Sequence, residues 1–150
     1  MPVSQRQQGV RKLVSRGATS TIATGATAAF TIVGTVAVYA VELEITTVVQ
    51  AQTTNLKWVA NPTVGSDTDI CAVTDFNAAA VGTHGNTTGT FATAMVKSAN
   101  GAHVAQAAPT VLTDGTLDLS SSAASTGGYK CSVLYEPLTP NASIRATTPA

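Results

Sequence analysis

Ala29-Phe30-Thr31-Ile32-Val33-Gly34-Thr35-Val36-Ala37-Val38-Tyr39-Ala40-Val41-Glu42-Leu43-Glu44-Ile45-Thr46-Thr47-Val48-Val49 is the stretch whose reading decides the fold. β-Branched residues are dense throughout it. Beyond Val38 the order resolves into alternation, with Val41, Leu43 and Ile45 against Glu42, Glu44 and Thr46. Successive side chains of a strand point to opposite faces, so a period of two describes a strand with one buried and one solvated face. Two strands broken near Gly34, or one long bent strand, account for the whole run. Its most apolar part is interrupted by Thr31, Gly34 and Thr35 and closed by Glu42 and Glu44, short of the roughly 18 to 20 apolar residues of a membrane helix.

Similar patterns extend outward from this run. Asn55 to Ala60 carries the single tryptophan, Trp58, on the Leu56 face, which makes it a core anchor; Asn61-Pro62 ends the strand. Ile70 to Val73 is briefly apolar, and Ala78 to Val81 has room for one helical turn. Phe91 to Lys97 alternates, Val111-Leu112 closes a short strand, and Asp114-Gly115 is a turn signal. Thr116 to Ser120 places Leu117 and Leu119 around Asp118. Tyr129 to Glu136 sets Tyr129, Cys131, Val133 and Tyr135 against Lys130, Ser132, Leu134 and Glu136, before Pro137 and Pro140 stop it. A last short strand is expected at Ser143 to Ala146. About eight short strands with no long helix between them predict an all-β chain: a single antiparallel β-sandwich, jelly-roll-like.

Composition agrees. The 150 residues suit one domain. Charged residues make up 11%, hydrophobic residues 44% and aromatic residues 5%, and the mean hydropathy is +0.21. Thr fills roughly one position in six, a usage that favours thin β layers. So few charges protect a lone monomer poorly, which predicts that much of the surface is covered by copies of the chain or by a larger assembly.

The charges are also unevenly placed. Arg6, Arg11, Lys12 and Arg16 precede the first acid, Glu42, so a net-neutral chain divides into a basic end of about +4 and a body of about −4. Residues 1–27 show little hydrophobic periodicity and read as an extended basic N-terminal arm, with a short helix over Gln7 to Ser15 as the alternative; residues 28–150 read as the sandwich domain. No continuous apolar core follows the basic residues, so the N-terminus does not read as a secretory signal, and synthesis in a reducing cytoplasm is expected. Without interleaved aromatics or a groove-sized element, the arm's cations suit a protein surface better than nucleic acid.

Catalytic chemistry is not legible. Glu42 and Glu44 read as a solvated strand face that discourages edge pairing. His84 and His103 sit in polar loops outside any metal spacing. Cys71 and Cys131 are too few and too far apart for a staple or a zinc site and read as small buried hydrophobes. Asp67-Thr68-Asp69 begins like a calcium loop that is not completed. There is no nucleophile elbow, zinc-protease helix or phosphate loop. The chain is therefore expected to be no enzyme, with no cofactor and no catalytic or metal residues.

Several phrases resemble, in order, small virion structural proteins of tailed bacteriophages: Val41 to Gln50, Asn55-Leu56-Lys57 leading to Ala60-Asn61-Pro62, Gly115-Thr116-Leu117-Asp118-Leu119, and Ser125-Thr126-Gly127 leading to Leu134-Tyr135-Glu136-Pro137-Leu138. The resemblance implies a β-sandwich bound in many copies to the outer shell of a capsid, as decoration or cement proteins are. The partners it implies are the major capsid protein and further copies of this chain, as a homodimer or homotrimer. No membrane is involved. Arg6, Arg11, Lys12 and Arg16 are then the capsid-docking arm, and the location is the outer capsid surface of a virion. The alternative is a tail or fibre module that binds a host cell-surface glycan through the polar loops His84 to Thr90 and Ser98 to Ala102.

Overall fold

Gly34 divides the decisive stretch into two strands that belong to different sheets. The structure is a computed structural model that describes residues 9–19 and 21–148. Among the described residues there are twelve strands and no helix. The first sheet runs β1 (Lys12–Thr19), β11 (Gly128–Pro137), β3 (Val36–Thr47), β7 (His84–Asn86) and β8 (Val96–Ser98), with β9 (Thr110–Leu112) also on β3. The second runs β12 (Ser143–Ala146), β2 (Gly25–Val33), β10 (Gly115–Ser121), β4 (Asn55–Pro62) and β5 (Thr68–Asp69), with β6 (Thr74–Asp75) also on β4. Every strand pairing is antiparallel, and the two sheets make a sandwich-like arrangement around one core.

The corner between β2 and β3 needs glycine. Gly34 has φ +74°, and a Cβ there would lie 2.7 Å from Thr139 Oγ1 and 2.8 Å from the Ala142 Cβ. Its N–H donates to Asp114 Oδ1 at 2.8 Å, and the Thr35 N–H donates to Thr139 Oγ1 at 3.0 Å. The backbone groups freed where the chain leaves one sheet are thus satisfied before it joins the other.

The alternations read from sequence set the core. Val41, Leu43 and Ile45 are fully buried, with Val133, Cys131 and Tyr129 of β11 paired beside them and Tyr135 beside Val38. Trp58 and Leu56 are fully buried in the opposite sheet, and the Trp58 ring lies 6.4 Å from Phe30. Burial of side chains this size stabilises by about 1.5–3 kcal/mol each.

Three expectations are corrected. The arm of residues 1–27 is not all arm: residues 1–8 and 20 lie outside the described residues, but Lys12–Thr19 forms edge strand β1 against β11, and Gly25–Thr27 opens β2. The sandwich therefore begins at least sixteen residues before position 28, and the alternative helix gives way to strand at Lys12 to Ser15. Ala78 to Val81 makes tight turns in place of a helical turn, with Ala78 at φ +51°. Within Phe91 to Lys97 only Val96 and Lys97 belong to a strand; Ala94 makes one isolated bridge to Ala72, and Phe91 lies in a turn. The remaining residues of that segment have no neighbouring strand to pair with.

Candidate docking surface

The N-terminal approach of the chain and a set of exposed apolar side chains meet at one end of the sandwich. The strand registers define this end: β2 finishes at Val33, Pro62 pairs with Gly115, and Pro137 pairs with Val36. Val33, Val64, Phe91, Val111 and Leu138 are all exposed there, Val64 to 88%. A cleft of about 190 Å³ opens between two of them, Phe91 and Val111, with Ile32 and Pro62 also in its wall. Alternation explains Val111: in β9 its neighbours Thr110 and Leu112 are buried, so it must face out.

β1 brings basic residues to the same end. Lys12 is exposed opposite Tyr135. The Arg11 guanidinium lies 3.9 Å from the centroid of the Tyr39 ring, and the Tyr39 hydroxyl donates to Glu136 Oε2 at 3.0 Å. Tyr39 is free for this because it is the extra residue of a bulge: Ala40 pairs with Leu134 and Val38 with Tyr135.

Arg16 does something else. It is 3% exposed and points between the sheets, where its Nε donates to Thr147 Oγ1 at 3.2 Å and its Nη1 to the Tyr129 hydroxyl at 3.3 Å. Of the four expected arm cations, Arg11 and Lys12 share the apolar end, Arg16 ties the interior, and Arg6 lies outside the described residues.

The sequence reading missed what surrounds the two acids on β3. Glu42 Oε1 is 2.6 Å from His103 Nε2, and Glu44 Oε2 is 3.1 Å from Lys130 Nζ. His84 is opposite Glu44 in β7, a strand rather than a loop, and its ring lies 5.8 Å from that of His103. The partners come from β7, β11 and the segment after β8, so no local spacing could have announced them.

Both cysteines are free and buried. The Cys71 sulfur accepts the Trp58 N–H at 3.2 Å. Burial raises the Cys71 thiol and pushes that of Cys131 up to about 12, with the nearby Arg16 charge partly opposing the Cys131 shift. Neither thiol is poised as a nucleophile. Among the described residues, no three His, Cys, Asp or Glu side chains converge to hold a metal ion, and no helix is long and apolar enough to cross a membrane. No family model matches the chain, and no curated protein or solved structure matches it.

Proposed function

We propose that this chain is a non-enzymatic decoration, or cement, protein of a tailed bacteriophage, which binds in many copies to the outer shell of major capsid proteins and stabilises the head. One observation carries the reading: the exposed apolar set Val33, Val64, Phe91, Val111 and Leu138 lies at the end where Arg11 and Lys12 arrive. Apolar side chains gathered on a surface with few charges favour contact with protein. A basic segment beside them adds electrostatic steering toward an acidic neighbour. β1 to β4 alternate between the two sheets, and β10, β11 and β12 do so again, which supports the jelly-roll reading. Binding only to the assembled shell would shift the balance toward assembly.

The test is sedimentation with purified phage shells. Val111→Asp and a double Arg11→Glu/Lys12→Glu variant should each fold and lose most of their shell occupancy. Unchanged occupancy in both would defeat the reading.

A further inference from the structure

Farther along the outer face of the first sheet, beside Glu42 and Glu44, lies a hollow of about 310 Å³ whose lining includes Ser15, Glu42, Glu44, His84, Lys130 and Ser132. The registers stack these residues in two rows: Ser15, Ser132 and Glu42 in one, Lys130, Glu44 and His84 in the next. We infer that this hollow is a binding site for a small, neutral, hydroxyl-rich ligand, the size of one sugar ring.

Three observations select that class. The first is charge. Each carboxylate already has its own base, Glu42 with His103 and Glu44 with Lys130. Both acids are thus already engaged by basic side chains, which leaves neither as an open cation site. The second is polarity: two serine hydroxyls, two carboxylates, an ammonium and an imidazole supply both donors and acceptors, whereas a lipid or an aromatic ligand requires mostly apolar walls. The third is size. A volume of about 310 Å³ is at the small end of ligand cavities, which run from about 300 to 1,000 Å³.

Unspent hydrogen-bonding capacity is concentrated next to the hollow. Of the six buried side-chain polar atoms without a partner among the described residues, three belong to β7: His84 Nδ1 and both amide atoms of Asn86. Asn86 pairs with Glu42 and is 4% exposed. Buried polar groups are nearly always satisfied, so this concentration is a reserve of hydrogen-bonding capacity in the wall behind the hollow. The segment after β8 reaches its edge at Glu42. His103 reaches Glu42, and Gln106 donates to the Val38 and Ala108 carbonyls at 3.1 and 3.0 Å. The hollow itself is walled by residues of β1, β11, β3 and β7 on the outer face of the first sheet.

The test uses saturation-transfer and chemical-shift NMR on the full chain. The probes are the methyl glycosides of glucose, galactose and N-acetylglucosamine, with phosphate as the anionic control and putrescine as the cationic one. At least one glycoside should bind in the millimolar range and shift the resonances of Ser132, Glu44 and His84. Glu44→Gln and Ser132→Val should each weaken it at least tenfold, while Lys57→Gln on the other sheet leaves it unchanged. Repeating the titration with the same sugar at the end of an oligosaccharide separates a glycan terminus, bound equally well, from a free sugar, bound alone; either upholds the class. Binding of phosphate or putrescine in place of the glycosides, or no binding up to about 50 mM, overturns the inference. Shell occupancy of the Glu44→Gln and Ser132→Val variants should stay normal, so this result and the docking result stand or fall separately.

Discussion

The side chain of Arg16 donates to the hydroxyl of Thr147 across 3.2 Å, joining residues 131 positions apart in sequence. Thr147 in turn donates to the Ala28 carbonyl at 2.6 Å and its N–H to the Ala29 carbonyl at 2.9 Å. The edge strand of one sheet is thereby pinned to β2 of the other through a buried guanidinium.

Arg16 should accordingly behave as a stability residue. Arg16→Ala removes its bonds to Thr147 and Tyr129, and hydrogen bonds to charged groups contribute about 1.5–3 kcal/mol each. A loss of about 2–4 kcal/mol is expected in urea unfolding, with Tyr129→Phe costing about 1 kcal/mol. An Arg16→Ala midpoint equal to that of the parent chain would contradict the tie.

Gly34→Ala should cost about 2–4 kcal/mol, because it combines a positive φ with crowding against Thr139 and Ala142. Gly17→Ala is the matched control: nothing lies within 4 Å of a Cβ there, so its thermal midpoint should barely move. Similar midpoints for the two variants would remove the corner argument.

Stability should decline in alkali. The Cys131 thiol is raised by burial from 9.0 to about 12 in the folded chain, so the folded state holds its proton where the unfolded state has lost it. The stabilisation is complete below pH 9.0 and is lost as pH rises through about 12; the gap corresponds to about 4 kcal/mol. Unfolding titrations across this window should show the decline, and Cys131→Ala should flatten it. Burial also raises Tyr129, so part of the slope will persist in that variant.

Truncations separate docking from folding. Removing residues 1–8 leaves β1 whole, and the shortened chain should keep its thermal midpoint. Removing residues 1–24 strips β1 from β11 and exposes a long strand edge, so that chain should aggregate or unfold near ambient temperature. Circular dichroism melts and size-exclusion elution distinguish the two outcomes; equal stability would show that β1 is dispensable.

What was legible depended on whether each strand obeyed the hydrophobic period. β3 and β11 did, because one face of each is core and the other is solvated, and their inward residues are those named from sequence. Trp58 was legible for the same reason. β1 was not, since its best-buried central residue is Arg16, while Leu13 on the outer face is 69% exposed. A charged residue inward and a leucine outward invert the signal, and the segment reads as arm. Phe91 to Lys97 failed in the opposite way, with a good period but no partner strand along most of its length. The polar hollow was beyond local reading altogether, because Glu44, Lys130 and His84 are brought together only by registers between strands far apart in the chain.

The interleaved strand order also has a consequence for biosynthesis. Apart from ladders of two or three residue pairs, every ladder closes on β10, β11 or β12. As the polypeptide emerges from the ribosome, β2 must therefore wait unpaired, and β3 with only the three-residue ladder to β7, until much of the last third of the chain has been translated. Closure between such distant segments belongs to the slow class of folding reactions, and the waiting strands are the ones most prone to pair with another nascent chain. Yield in the cell should thus be governed less by the depth of the native minimum than by how long those strands are shielded before their partners arrive.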